Sequence, residues 1–153
     1  MTTQHLDHAA GPVYLLEADV TAGGRTRIRG ALWDGVLNAT PDDDVDGPSP
    51  IEALMAALVG CVARNLRSAT DAAGVRFDRL EMRVGAERSD DPPAITALRL
   101  DLAITTNVPE DQARLLVEQV LRDGTITRTI ARGLDLTVLL TINDSPVEAH
   151  HVA

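Results

Sequence analysis

The chain has 153 residues, of which 44% are hydrophobic, 14 are basic and 23 are acidic, so its formal net charge is -9. This length and apolar content predict one domain over residues 1–153, with a core from about 12 to 142 and loose tails at both ends. The negative charge argues against a nucleic-acid or membrane partner, and the absence of lysine excludes P-loop, Schiff-base and pyridoxal chemistry.

The first predicted elements are two strands joined by a tight turn. Apolar and polar residues alternate from Val13 to Thr21, which is the period of a half-buried strand. A second strand is predicted from about Arg25 to Leu32, and Gly23-Gly24 suits the turn between the two strands.

Three arginines of the second strand, Arg25, Arg27 and Arg29, share one face. A two-residue turn would aim them at the apolar face of the first strand, whereas a three-residue turn places Arg27 and Arg29 opposite its acidic residues. We favour the three-residue turn, because it forms ion pairs across the strands. Arg25 then lies opposite neutral Thr21, and we single it out as the arginine with a functional role.

An acidic loop follows, in which Asp42, Asp44 and Asp46 alternate as in the first half of a calcium-binding loop. The glutamate that completes such a loop would stand at position 53, where the chain has Ala53. We therefore expect an ordinary acidic loop and no metal site, with calcium as the alternative.

A long helix is predicted from Pro50 to about Ala73. Ser49 and Glu52 are typical of a capping box at its start, and Gly74 predicts its end. From Ile51 to Ala63 the only charged residue is Glu52, so this half of the helix is apolar on all sides and must be enclosed. Either a curved sheet or a second subunit could enclose it.

The rest of the chain predicts strands over residues 75–88 and 95–105, a helix from Pro109 to Asp123, a short helical turn over 125–132 and a strand over 134–142. The order ββαββααβ indicates an α+β fold with mostly antiparallel strands. Charged residues such as Arg99 and Asp101 on the outer faces of the strands indicate a solvated surface.

Residues that carry much of enzyme chemistry are scarce. The histidines, His5, His8, His150 and His151, all lie in the predicted tails, which argues against a catalytic triad and against a zinc site. Cys61 is the single cysteine and excludes an intrachain disulfide. We expect no secretory signal, no membrane span and no cofactor, and we expect the reducing cytoplasm as the location.

Cys61 follows Gly60 inside the apolar helix. A lone cysteine in such a setting is usually an inert, small apolar side chain. A reactive cysteine needs a neighbouring group that stabilises its thiolate. Arg64 and Asn65, three and four residues further along the helix, are the candidates within the helix itself.

Together these residues resemble the OsmC/Ohr superfamily of osmotically inducible and organic hydroperoxide resistance proteins. The resemblance rests on Gly23-Gly24-Arg25, on the stretch from Gly47 to Cys61, and on the late helix-turn-helix before the last strand. It implies antiparallel sheets wrapped around a long central helix in an intertwined homodimer. It also implies a thiol peroxidase with a reactive Cys61, assisted by Arg25, by a glutamate at the helix start and by a second, resolving cysteine.

Two positions depart from the family pattern. The family's glutamate directly follows the helix-start proline, where this chain has Ile51, and Glu52 lies one position further. Since Glu52 is about 180° round the helix from Cys61 and about 13 Å along its axis, we expect it to cap the helix or to act only across a dimer. The resolving position holds Gly124, which we expect to end the late helix in a left-handed conformation.

Two functions remain open. The first is a one-cysteine peroxidase of organic hydroperoxides, with Cys61, Arg25 and Glu52 as candidate catalytic residues and an external thiol as reductant. The second is a non-catalytic homodimer whose interface pocket binds an apolar small molecule. A hot-dog-like thioesterase, which also wraps a sheet round a long helix, ranks third because its strand order differs.

Overall fold

The computed structural model describes residues 16–20, 25–30, 34–38, 47–147 and 150–152. The strands are β1 (Glu17–Val20), β2 (Arg25–Arg29), β3 (Asp34–Asn38), β4 (Phe77–Asp90), β5 (Pro93–Thr106), β6 (Asp135–Ile142), β7 (Ser145–Pro146) and β8 (His150–Val152). The helices are α1 (Pro50–Ala73), α2 (Glu110–Asp123) and α3 (Thr125–Ala131). The predicted elements are found in the predicted order, and β3, β7 and β8 are strands that the sequence analysis missed.

The chain forms two compact units, one ending at Pro50 and the other beginning at Ile51. The single-domain organisation stays a prediction. The start of the predicted first strand, the Gly23-Gly24 turn and the acidic loop over residues 42–46 lie outside the described residues. Within the described part of the chain, no helix combines the length and the apolar character needed to cross a bilayer.

The unit before Ile51 contains an antiparallel sheet in the order β1-β2-β3. Glu17 pairs with Arg29 and Asp19 pairs with Arg27, which is the register of the three-residue turn. The Arg29 guanidinium donates to the Asp19 carboxylate at 2.7 Å. The predicted register is therefore confirmed, and so is the ion pairing of Arg29, whose guanidinium contacts both Asp19 and Glu17.

The unit after Pro50 contains a second sheet, in the order β4-β5-β6-β7, with β8 also paired to β6. β4 and β5 are antiparallel, but β5 and β6 are parallel. The prediction of mostly antiparallel strands is confirmed, and β5 with β6 is the parallel exception. The reason is that α2 and α3 carry the chain back across the sheet before β6 begins, as a parallel connection requires.

The outer face of this sheet is solvated, as predicted. Arg99 and Asp101 lie on it, and the Arg99 Nε donates to the Asp101 carboxylate at 2.7 Å. This hydrogen bond and the negative charge of the carboxylate raise the pKa of the Arg99 guanidinium. An exposed pair of this kind contributes little to stability.

The inner faces of β5 and β6 form the core together with α1 and α2. Their alternate side chains are almost completely buried: Leu98, Leu100, Leu102, Ile104, Leu136, Val138, Leu140 and Ile142. α2 adds an apolar stripe of Ala113, Val117, Val120 and Leu121, and α1 adds Leu58, Val62 and Leu66. Apolar side chains at every second residue of these strands thus pack in one layer with apolar side chains at about every fourth residue of α1.

The bounds of α1 agree with the prediction at both ends. Gly74 has a φ of +65°, its N–H donates to the Asp71 carbonyl, and the Val75 N–H donates to the Thr70 carbonyl. This pair of hydrogen bonds is the Schellman motif, in which a left-handed glycine satisfies the last carbonyls of a helix.

One side of α1 is buried, whereas Leu54, Ala56, Ala57 and Gly60 on its first half are exposed. The described residues of the chain therefore do not enclose the first half of α1 on all sides, as the sequence analysis expected. A second subunit remains the other means of covering it.

The predicted loose C-terminal tail is wrong where the structure describes it. After β6, Asn143 and Asp144 both have positive φ and turn the chain into β7. Residues 150–152 then pair with β6 as the strand β8. Asparagine and aspartate adopt this conformation more readily than other residues with side chains, which makes the pair a hairpin signal.

Replacing Gly74 with alanine should destabilise the protein by about 1 kcal/mol, because a Cβ is disfavoured in the left-handed conformation. Added atoms would meet nothing within 4 Å, so the cost is that of the backbone alone. Urea unfolding measures it. Gly133→Ala is the matched control, since a Cβ there also meets nothing and φ is not left-handed. Equal losses in the two variants would contradict the explanation.

Candidate active site

Cys61 lies in the middle of α1 and is partly buried. Of the two candidate partners within the helix, the structure places Asn65 on the sulfur: its side-chain N–H donates to the Cys61 Sγ at 3.6 Å. Arg64 is exposed. The sulfur therefore accepts a hydrogen bond from an amide one turn along the same helix.

The rotation of α1 explains why these two side chains meet. Val62 and Leu66 are completely or almost completely buried, and Cys61 and Asn65 each precede one of them by one residue. Both side chains therefore lie on the same flank of the helix, about 100° from its buried side. The sulfur is neither sealed in the core nor fully open to water.

Arg25 is the first residue of β2 and is exposed. Its directly opposite neighbour on β3 is Asn38, a neutral residue, whereas Arg29 lies opposite Asp34. The sequence analysis placed Arg25 opposite a neutral residue of β1, and that residue lies outside the described part of the chain. Arg25 and Cys61 belong to different units, and their meeting stays a prediction.

Glu52 lies in the first turn of α1 and is exposed. An acidic residue there interacts favourably with the helix dipole, which agrees with the capping role expected from the sequence. Cys61 follows it by two and a half turns, about 13 Å along the axis. Within this helix the structure does not bring Glu52 to the sulfur.

Gly124 ends α2 in an extended conformation, with φ -66° and ψ 123°, so the predicted left-handed cap is wrong. Glycine is required here by crowding instead. A Cβ at this position would lie 2.8 Å from the Thr127 Oγ1 and 3.0 Å from the Val120 carbonyl oxygen. Thr127 is fully buried, so the packing around it limits how far it can move. Position 124 therefore has no room for a side chain unless its neighbours shift.

A cleft of about 220 Å³ lies between α1 and the junction of α2 with α3. Asn65 and Ser68 line it from α1, and Asp123 and Thr125 line it on either side of Gly124. The structure thus brings the hydrogen-bond partner of Cys61 close to Gly124, where the resemblance implies a second cysteine. Sequence reasoning named Asn65 but missed the cleft, because it depends on how two helices distant in sequence pack together.

Comparison with known proteins places this fold. Residues 41–139 match the family model described as OsmC-like protein. The structure is similar to an OsmC-like protein from Mycoplasma pneumoniae, with a TM-score of 0.79 and 19% identity over 87% of this chain and 99% of that chain. It is also similar to the organic hydroperoxide resistance protein OhrB of Bacillus subtilis, with a TM-score of 0.60 and 15% identity over 86% and 98% of the two chains.

A further similar structure is a putative organic hydroperoxide resistance protein from Vibrio cholerae with captopril bound in one of its active sites. It has a TM-score of 0.63 and 18% identity over 92% of this chain and 99% of that chain. No curated protein matches the chain in sequence.

The long helix and the mixed sheet, with a cysteine on the flank of that helix, define an α+β protein of the OsmC type. The chain belongs to the OsmC-like protein family. The strand order and the family match set the hot-dog thioesterase aside.

Replacing Asn65 with leucine, which is similar in size but cannot donate, should slow alkylation of Cys61 by iodoacetamide at pH 7 about fivefold, the equivalent of one hydrogen bond. Arg64→Gln is the matched control on the same helix turn and should leave the rate within twofold. The opposite result, with the slower reaction in Arg64→Gln, would assign the thiolate partner to Arg64 instead.

Replacing Gly124 with alanine should destabilise the protein by about 1–3 kcal/mol, because the added Cβ has to displace a buried threonine or a carbonyl group. Gly85→Ala is the control, since a Cβ there meets nothing within 4 Å. Thermal unfolding of both variants tests the explanation, and a Gly124 variant as stable as wild type would refute the crowding argument.

Proposed function

We propose that the protein is a one-cysteine thiol peroxidase of organic hydroperoxides. The observation that carries the proposal is the partly buried Cys61 sulfur with the Asn65 amide as its donor, at the family's peroxidatic position. The thiolate attacks the distal peroxide oxygen and the O–O bond breaks. The sulfur loses two electrons and becomes a sulfenic acid, and the alkoxide takes up a proton and leaves as an alcohol.

An external thiol completes the proposed cycle. With Gly124 at the resolving position, a sulfenic acid at Cys61 meets no second cysteine in the chain. One reductant thiol displaces water and forms a mixed disulfide with Cys61. A second thiol then releases Cys61 and leaves as the oxidised disulfide of the reductant. The cleft beside Asn65 and Gly124 is the route that we propose for this thiol, and the need for reduced thiols favours the cytoplasm.

The proposal also assigns a role to a second copy of the chain. The exposed Leu54, Ala56, Ala57 and Gly60 on α1 form an apolar surface that a homodimer would cover. We propose that assembly brings the Arg25 guanidinium to the Cys61 sulfur in an apolar pocket, where it would stabilise the thiolate. Glu52 would act there only from the partner chain. Sedimentation as a single protomer would contradict this arrangement.

A second candidate is a homodimer without peroxidase activity that binds an apolar small molecule in the same pocket. The crowding at Gly124 and the position of Glu52 favour it. Where the resemblance implies a resolving cysteine the chain has Gly124, and where it implies a glutamate the chain has Ile51. The two candidates share the fold and differ in what Cys61 does.

Purified protein should consume cumene hydroperoxide in the presence of excess dithiothreitol, and Cys61→Ser should lower the rate at least about a hundredfold, because the alcohol is not oxidised by the peroxide. Stopped-flow measurement of peroxide loss is the assay. If wild type and Cys61→Ser consume the peroxide equally slowly, the peroxidase proposal is wrong and the binding of an apolar small molecule is the favoured function.

The same assay tests the role of Arg25, with Arg27 on the same face of β2 as the matched control. Arg25→Gln should lower kcat/KM at least about tenfold through loss of thiolate stabilisation. Arg27→Gln removes a cation two residues away that lies opposite Asp19, and it should leave kcat/KM within twofold. Equal losses of kcat/KM in the two variants would show that the rate depends on the net positive charge of β2 and not on the position of Arg25.

A further inference from the structure

The cleft between α1 and the junction of α2 with α3 has a mostly polar lining. Asn65 and Ser68 line it from α1, Gln119 and Asp123 from α2, and Thr125 from the start of α3. Among the described residues that line it, Asp123 is the one with a charge. The amide and hydroxyl oxygens accept hydrogen bonds from ammonium and hydroxyl groups, so the lining suits a polar ligand.

No direct contact neutralises the charge of Asp123, the last residue of α2. In the part of the chain that the structure describes, no basic side chain lies within ion-pair distance of its carboxylate. By contrast, Asp71 of α1 lies 3.8 Å from Arg67, and Asp111 of α2 lies 3.6 Å from Arg114. Salt screens little over a few Å, so the Asp123 charge acts on a ligand in the cleft.

The nearest arginines in the sequence lie outside this lining. On α1, Arg64 and Arg67 are adjacent to lining residues, but both are exposed and neither lines the cleft. On α3 and just after it, Arg128 and Arg132 are exposed and line a separate cleft on the other side of Asp123. The formal net charge of the chain, -9, adds a general repulsion of anions. The cleft therefore disfavours a negatively charged ligand.

One side chain connects the cleft with the sulfur. Asn65 lines the cleft, and its side-chain N–H donates to the Cys61 Sγ at 3.6 Å. A molecule in the cleft therefore lies beside the donor of the sulfur. The cleft volume of about 220 Å³ is below the roughly 300–1,000 Å³ of sites for drug-sized ligands, so it suits a molecule of few heavy atoms.

We propose that this cleft selects the reductant by charge, with Asp123 as the specificity-determining residue. It favours small thiols that carry an ammonium group, accepts neutral thiols and repels thiols that carry an anionic group such as a carboxylate. The ammonium group lies beside Asp123 and the thiol enters beside Asn65. The inference rests on the proposed function, in which this thiol attacks the Cys61 sulfenic acid, an S–S bond forms, the S–O bond breaks and water leaves.

Labelling of Cys61 in the full-length protein with methanethiosulfonates tests the cleft without peroxide. The thiolate attacks the outer sulfur of the reagent, a mixed disulfide forms and methanesulfinate leaves. The rate ratio of the 2-aminoethyl to the 2-sulfonatoethyl reagent should fall about fivefold in Asp123→Asn, since the variant loses both an attraction and a repulsion. Asp111→Asn is the matched control. It removes the same charge about 18 Å away along α2 and should leave the ratio within about twofold.

An unchanged ratio in Asp123→Asn would overturn the proposal. Equal falls in the two variants would overturn it as well, because they would trace the preference to the net charge of the protein. The peroxide assay tests the reductant directly: with cysteamine and 3-mercaptopropionate as the two thiols, Asp123→Asn should lose the wild-type preference for cysteamine. If wild type consumes no peroxide but the labelling ratio falls in Asp123→Asn alone, the peroxidase is wrong and the charge selection at Cys61 is right.

Discussion

The packing of one face of α1 against the sheet is the constraint on which the rest of the site depends. Leu58, Val62 and Leu66 recur at every fourth residue and are almost completely removed from water, joining the inner residues of β5 and β6. This contact sets the rotation of the helix. Since Cys61 and Asn65 each precede a buried residue, the same contact sets the environment of the sulfur and the distance to its donor.

A second constraint lies where α2 meets α3. Gly124 takes part in the hydrogen bonding of both helices. Its N–H donates to the Val120 carbonyl of α2 at 2.9 Å, and its carbonyl accepts from the Arg128 N–H of α3 at 2.9 Å. The tight junction excludes a Cβ. Any residue with a side chain at this position, cysteine included, would need a looser junction. A cleft lined by Asp123 and Thr125 lies beside this junction.

Much of the architecture could be predicted from local patterns. The capping residues and Gly74 located both ends of α1, and the alternation of acidic residues with arginines chose the β1–β2 register. The missed strands have weak local signals. Gly35 interrupts the short β3, Pro146 lies in β7, and β8 has three residues, all paired with β6. A strand of two or three residues is stabilised by its partner, and no pattern of its own reveals it.

The sequence by itself determined the family, the α+β class, the span of the long helix and the position of the single cysteine on it, because these follow from spacing along the chain. Only the tertiary structure decided which helix neighbour contacts that sulfur, why position 124 is glycine, and where the C-terminal histidines lie. These depend on distances between atoms far apart in sequence. The surroundings of the Cys61 side chain, the crowding at Gly124 and the burial of the His150 imidazole arise only when helices and strands pack together. The periodicity of the sequence alone does not encode them.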